Sequence, residues 1–197
     1  MKSKTNLLIL LLAALSITFS SCKKELGCMD VTAMNYNPDA QKDDASCVYS
    51  QGCMDINAMN YDQEAQRDDA SCVYSHNLAQ GMWNMNPDCE ELSVLGQTIA
   101  LNDQLPDSIN IQGDGNTTLF IDIDGTVVTG EIDFSGNITV DEQTISIDPG
   151  LGVPLDVLIV GDGAVYLDST GVMNLTYTFE IPIVGTQNID CHITINK

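Results

Sequence analysis

The sequence predicts an all-β protein: an antiparallel β-barrel or sandwich, laid out as a meander, preceded by two small cysteine-bracketed repeats. Three observations carry this expectation. Past residue 76, Ile, Val, Leu, Tyr and Phe alternate with polar residues, the period of two that a half-buried strand requires. Turn signals recur between those runs at spacings of roughly 8–12 residues, as in barrels and sandwiches. Residues 27–75 hold one short pattern twice, at a period of 25 residues.

The amino end comes first. Lys2 and Lys4 form a basic start, Leu7 to Leu15 a continuous apolar run, and Ser20-Ser21 a pair of small residues. This is the three-part layout of an export signal. The run is too short to cross a hydrocarbon core of roughly 30 Å, which takes about 20 apolar residues in a helix. Phe19-Ser20-Ser21-Cys22 resembles a lipobox, the site where lipoprotein signal peptidase cuts ahead of a diacylated cysteine. The run Ser20-Ser21-Cys22-Lys23-Lys24 is similar to that of Bacteroidetes-type lipoproteins. That resemblance implies a cleaved signal peptide over 1–21, lipidation (palmitate among the acyl chains) at Cys22 and an anchor linker over 22–26. It also implies an outer-membrane address, because Lys23-Lys24 lacks the aspartate of inner-membrane retention; the periplasmic or cell-surface side stays open. Each buried CH₂ of an acyl chain contributes about 0.8 kcal/mol, so two or three chains hold a protein stably.

Charge narrows the partners. Without residues 1–21 the chain keeps all 28 acidic residues but five of its seven basic ones, a net charge near −23. Such a surface repels phosphate backbones and lacks the cationic contacts that nucleic-acid affinity depends on. Nucleic acid is excluded, and membrane association has to come through the lipid. The remaining partner classes are a protein, a neutral glycan, a cation or a small apolar ligand.

Gly27-Cys28-Met29-Asp30 through Cys47-Val48-Tyr49-Ser50 returns as Gly52-Cys53-Met54-Asp55 through Cys72-Val73-Tyr74-Ser75, with 18 of 24 positions identical. Units this small and polar cannot bury a sufficient core and need a covalent or metal staple. Lipidation of Cys22 leaves six cysteines. The repeat favours pairing within each unit, Cys28–Cys47 and Cys53–Cys72, which leaves Cys89 with Cys191. Each repeat bond closes a loop of 20 residues, worth about 3 kcal/mol in the chain-entropy picture, and an exported chain meets the oxidising compartment it requires. The two units, 27–50 and 52–75, are thus expected to be disulfide-stapled. Their pattern, read in the first unit as Gly-Cys-x-Asp-x-x-Ala-x-Asn-Tyr-Asn followed by Asp-Asp-x-Ser-Cys, resembles a short repeat of secreted Bacteroidetes-type proteins. That repeat commonly sits between an anchor and a larger domain, and no activity comes with it.

The repeats also offer oxygen ligands. Asp30, Asn35, Asn37, Asp39, Asp43 and Asp44 in the first, and Asp55, Asn60, Asp62, Glu64, Asp68 and Asp69 in the second, fall within one closed loop each. Calcium takes about six to eight oxygens, which makes these twelve residues candidate calcium ligands. Their spacing is not that of an EF-hand loop. The competing reading is that Asn and Asp form turns and caps.

Residues 76–197 form the β-rich domain. Met173, Leu175, Tyr177, Phe179 and Ile181 alternate with Asn174, Thr176, Thr178 and Glu180, as do Ile189, Cys191, Ile193 and Ile195 with Asp190, His192 and Thr194. Shorter runs lie at Ile109–Ile111, Leu119–Ile123, Ile138–Val140, Ile145–Ile147, Val157–Val160 and Val165–Leu167. Turns are expected at Gly113-Asp114-Gly115-Asn116, Asp124-Gly125, Ser135-Gly136-Asn137, Asp148-Pro149-Gly150, Gly161-Asp162-Gly163 and Ser169-Thr170-Gly171. A short stretch near Asn86 to Leu95 is the one place with a helical pattern. Gly81-Met82-Trp83 resembles the Gly-x-Trp that opens lipocalin barrels, where the tryptophan plugs the base. With an early and a late cysteine around a meander, the layout resembles small lipocalin-like domains. That resemblance implies a closed barrel and, as a functional alternative, a carrier of one small apolar ligand.

Catalytic motifs do not assemble. Leu119 to Thr126, with Asp122 and Asp124, resembles the first motif of haloacid-dehalogenase-type phosphatases, which would make those aspartates nucleophile and acid/base. That chemistry needs a cation against the phosphoryl group, and past Thr126 the sole Lys or Arg is Lys197. His76 in the linker and His192 on a polar strand face make no zinc site, and no Gly-x-Ser-x-Gly elbow is present. Asp107-Ser108-Ile109 resembles an O-glycosylation tripeptide of the same bacterial group. The expectation is an exported, lipid-anchored, non-enzymatic binding or structural module with the repeats as spacer. A lipocalin-like carrier is the alternative, and a hydrolase through Asp122 and Asp124 a distant third.

Overall fold

The computed structural model describes residues 23–94, 96–123, 125–147, 154–181 and 183–197. Residues 1–21, expected as a signal peptide, Cys22 and Asp124 lie outside the described residues, as does the expected turn at Asp148-Pro149-Gly150. The chain divides into two compact units, one ending at Ser50 and one running from Gln51 to Lys197. The second repeat therefore belongs to the same unit as the β domain.

The first repeat pairs two residues of β1 (Leu26–Gly27) in parallel with β2 (Lys42–Asp43). A bridge joins Cys28 to Tyr36. Buried apolar side chains are few, Cys28 and Ala33, so the staple holds what burial cannot. Cys28–Cys47 is formed as expected. In the second unit, β3 (Gln51–Gly52) and β4 (Arg67–Asp68) repeat the arrangement, with Cys53–Cys72 closed and Cys53 and Ala58 buried.

A short helix, α1 (Ser75–Ala79), leads into the barrel. Its strands are β5 (Gly81–Cys89), β8 (Ser108–Gly113), β9 (Thr118–Ile123), β10 (Thr126–Ile132), β11 (Asn137–Ile147), β12 (Leu155–Val165), β13 (Thr170–Ile181) and β14 (Gly185–Asn196). Each pairs antiparallel with the next, and β14 returns to β5, closing an eight-stranded barrel. It is a barrel rather than a sandwich. A side hairpin, β6 (Glu91–Val94) with β7 (Gln97–Ala100), is inserted after β5. The third disulfide, Cys89–Cys191, joins directly opposed residues of β5 and β14, so it locks the pair that completes the ring.

Alternation explains the long strands. On β13, Met173, Leu175, Tyr177 and Phe179 point inward and are buried; on β14, Ile189, Cys191, Ile193 and Ile195 do the same. Burying a side chain of this size stabilises by about 1.5–3 kcal/mol. Trp83 is fully buried at one end of the barrel, where its indole N–H donates to the Ala79 carbonyl at 2.6 Å. The Lys197 ammonium lies 4.9 Å from that ring and donates to the carbonyls of Leu78 and Gln80 at 2.6 and 2.7 Å. Burial lowers the Lys197 pKa from its ordinary value.

Several expectations fail locally. The helical pattern near Asn86 to Leu95 is strand: residues 86–89 finish β5 against β14, and 91–94 form β6. Cross-strand pairing overrides the local pattern there. Gly161-Asp162-Gly163 is not a turn but the middle of β12, opposite Leu175, Asn174 and Met173. A Cβ on Gly161 would sit 2.1 Å from the Asn174 carbonyl, and one on Gly163 2.4 Å from Met173 Sδ, so these glycines let strands approach. Ile138–Val140 and Ile145–Ile147 belong to one strand, β11, with a bulge between Val140 and Gln143. Beside that bulge the Gln143 amide replaces a ladder rung, accepting from Thr129 N at 2.9 Å and donating to Thr129 O at 2.8 Å.

The second repeat is seated on the Trp83 end of the barrel. Ser75 Oγ donates to the Asp133 carbonyl at 2.6 Å. Met59 packs over Gly136 in the β10–β11 turn. The equivalent Met34 of the first repeat is 73% exposed, while Met59 is half-buried.

Candidate functional site

In the repeats, the candidate ligands are turn formers. Asp30 Oδ1 accepts from the Thr32 amide at 2.9 Å and the Thr32 hydroxyl at 2.8 Å, and Oδ2 accepts from Tyr49 OH at 2.8 Å. Asn35 ties two strands of chain, accepting from Val48 N at 2.7 Å and donating to Ser46 O at 2.6 Å. Asn37 accepts from Asp39 N, Asp43 from Ala45 N and Asp44 from Ser46 N, at 2.9, 3.2 and 3.0 Å. Asp39 is exposed. The second repeat copies the scheme through Asp55, Asn60, Asp62, Asp68 and Asp69, with Glu64 supplying the amide that Asp62 binds.

The Asp-Asp pair has a specific task. Ala45 and Ala70 both sit at φ +60°, a left-handed conformation that costs a non-glycine residue about 1–2 kcal/mol. The two preceding carboxylates accept from the amides at and after that alanine. These bonds depress the carboxyl pKa values: Asp30 through the Thr32 amide first, Asp55 through that of Asn57, Asp44 and Asp69 through Ser46 and Ser71. The bond to Asp55 raises the Tyr74 phenol above its ordinary value. Most of the twelve oxygen-bearing residues are engaged with amides in local turns. Among the described residues no group of three or more His, Cys, Asp or Glu is placed to hold a metal ion.

The barrel interior is filled. Trp83, Leu119, Ile138, Val140, Val157, Ile159, Tyr177 and Phe179 are all fully buried. Among the described residues, the interior holds an apolar cavity of about 20 Å³ bordered by Met85, Ile109, Ile121, Met173, Tyr177 and Ile193 among others. That is room for about one water. The Tyr177 hydroxyl is buried with no hydrogen-bond partner among the described residues, and burial pushes its ionisation far above the usual phenol range.

Outside the barrel, a shallow groove of about 560 Å³ crosses β12, β13, β14 and β5. Asp162, Asn174, His192 and Asp88 form one outward row, and Thr176 with Asp190 the next. His192 Nδ1 lies 2.8 Å from Asn174 Oδ1, and Thr176 donates to Asp190 at 2.6 Å. The row is acidic, and its polar groups bond to one another along the sheet. Asp122, the candidate nucleophile, accepts from Gly125 N at 2.8 Å in its own hairpin. Lys197 is committed at the other end of the barrel, with Leu78 and Gln80. No described helix is long and apolar enough to cross a membrane.

A second cleft, of about 420 Å³, opens where the second repeat meets the barrel. Asn57 and Tyr74 come from the repeat, His76 and Asn77 from α1, Asn116 and Thr117 from the β8–β9 turn, Ile132 from the end of β10 and Phe134 from the β10–β11 turn. His76, expected as a linker residue, packs its ring over Gly113, where a Cβ would sit 2.1 Å from Nε2; the same nitrogen lies 3.3 Å from the Gly115 amide. Asp133 fixes the turn that carries Phe134. Burial pushes its carboxyl up, but bonds from Asn137 and Ser135 outweigh that and hold it low.

No family model, curated protein or solved structure matches this chain. Sequence reasoning found the six paired cysteines and missed the residues of this cleft. Two signals were present in the sequence. Phe134 is an aromatic residue inside a turn, and Asn57 replaces Thr32 at one of the six positions where the repeats differ.

Proposed function

We propose that the chain is an exported lipoprotein, held at the outer membrane by acyl chains on Cys22, whose barrel is a non-enzymatic binding or structural module. The repeats act as a stapled spacer. The observation that carries this reading is the filled interior: a cavity of about 20 Å³ leaves the outer surface as the place for any partner. A carrier of a small apolar molecule needs roughly 300 Å³ or more, so the geometry favours the module over the carrier. Asp122 is engaged in its own hairpin, which favours a non-enzymatic role over a hydrolase. The lipid anchor is supported by cysteine use. Six cysteines are paired in three disulfides, and Cys22 is the seventh.

Labelled palmitate fed to an expressing bacterial host tests the anchor. The wild-type protein is expected to carry label in the membrane fraction, and Cys22→Ser to lose both label and membrane. An unlabelled wild type removes the anchor from the proposal. In the same preparation, an environment-sensitive fluorescent fatty acid is expected to stay unbound. Saturable binding displaced by oleate would reinstate the carrier.

A further inference from the structure

We propose that the cleft between the second repeat and the barrel is a binding site for a neutral carbohydrate, a pyranose unit or disaccharide. The proposal rests on the reading of the barrel as a module that binds on its outside. It names where and what.

The volume, about 420 Å³, is within the range of small-molecule sites. Its chemistry is of two kinds. Tyr74 and Phe134 bring aromatic rings that are 38% and 62% exposed. Asn57, Asn77, Asn116 and Thr117 bring amides and a hydroxyl. A pyranose ring has a C–H face that lies against an aromatic ring and a rim of hydroxyls that amides bind as donor and acceptor together. No residue lining the cleft carries a fixed charge. The chain's net charge of −21 disfavours an anionic ligand, and the neighbouring carboxylates are engaged: Asp55 with Tyr74 and Asn57, Asp114 with the Asn116 amide and 4.0 Å from His76, Asp133 with its own turn.

Two further observations separate this cleft from an accident of packing. Phe134 is exposed yet held. Its turn is closed by three bonds to the Asp133 carboxylate and pinned by Ser75 to the Asp133 carbonyl. A turn fixed in advance presents the ring with little backbone freedom left to lose on binding. The second is the divergence of the repeats. In the first, Thr32 folds its hydroxyl back onto Asp30 at 2.8 Å. In the second, the copy that borders the cleft, the same position is Asn57, whose longer side chain lines the cleft wall while still bonding Asp55.

Saturation-transfer difference NMR on the disulfide-bonded protein, with cellobiose, maltose and chitobiose at millimolar concentration, tests the site. Transfer to at least one sugar is expected. Phe134→Ala, a substitution at an exposed position, is expected to weaken binding at least tenfold. Asn57→Thr, which restores the residue of the first repeat, is expected to weaken it several-fold. Asp190→Asn, in the acidic groove, is expected to leave it unchanged. Absence of transfer from all three sugars, or transfer insensitive to Phe134→Ala, overturns the carbohydrate site. The palmitate experiment is read separately, so a tethered module that ignores sugars is distinguishable from a chain with no anchor.

Discussion

Tyr177 places a hydroxyl inside the barrel where none of the described residues can accept from it. A buried polar group without a partner costs about 1–3 kcal/mol. Tyr177→Phe deletes that group and keeps the ring, so it is expected to stabilise the barrel by about 1 kcal/mol, read as a higher urea midpoint. A lower midpoint would mean that the hydroxyl has a partner in solution. At this scale the cysteines were fully legible, because a duplicated spacing leaves few ways to pair them. Asn57 and Phe134 were not. Their significance comes from lining one cleft together, although they lie 77 positions apart in the chain and meet only through folding.

The repeats are held by hydrogen bonds between Asx side chains and nearby amides, as much as by their staples. Every resolved carboxyl shift in them is downward. A depressed folded pKa means that the carboxylates contribute stability above their unfolded value, here 3.8, and lose it as pH falls through the lower folded values. The repeats are therefore expected to keep their amide shifts from pH 7 down to about 4 and to loosen below that. Ser46 and Ser71 amides should broaden first, followed by ¹⁵N NMR; shifts flat to pH 2 would remove the carboxylates from this role. Strands of strict alternation, β13 and β14, could be read directly. β10 was missed because Gly130 interrupts its apolar face, at a place where a Cβ would meet the Thr139 carbonyl at 3.1 Å. The mid-strand glycines of β12 misled for the same reason: close approach between strands and a tight turn both call for glycine, and local sequence does not distinguish them.

Across the whole molecule, Gly136 joins barrel and second repeat. It has φ +91°, and a Cβ there would lie 2.5 Å from the Val165 carbonyl and 2.8 Å from Met59 Cε. Gly136→Ala is expected to cost about 1–3 kcal/mol and to speed amide exchange at Leu78 more than in β13. Equal acceleration everywhere would show that the seat is not a separate cooperative unit. The meander was legible from turn spacing, and closure was expected from the lipocalin-like layout and the Cys89–Cys191 pair; alternation alone did not give it, since the pairing of β14 with β5 joins residues more than a hundred positions apart. Closure has a further consequence for a chain tethered, as proposed, among many copies on a crowded surface. An open sheet presents a free edge, a row of unpaired amides and carbonyls that a neighbour's strand can extend. A ring whose last strand pairs with its first has no such edge, and Cys89–Cys191 keeps it from being exposed by fraying. Copies packed side by side can then touch without their sheets merging.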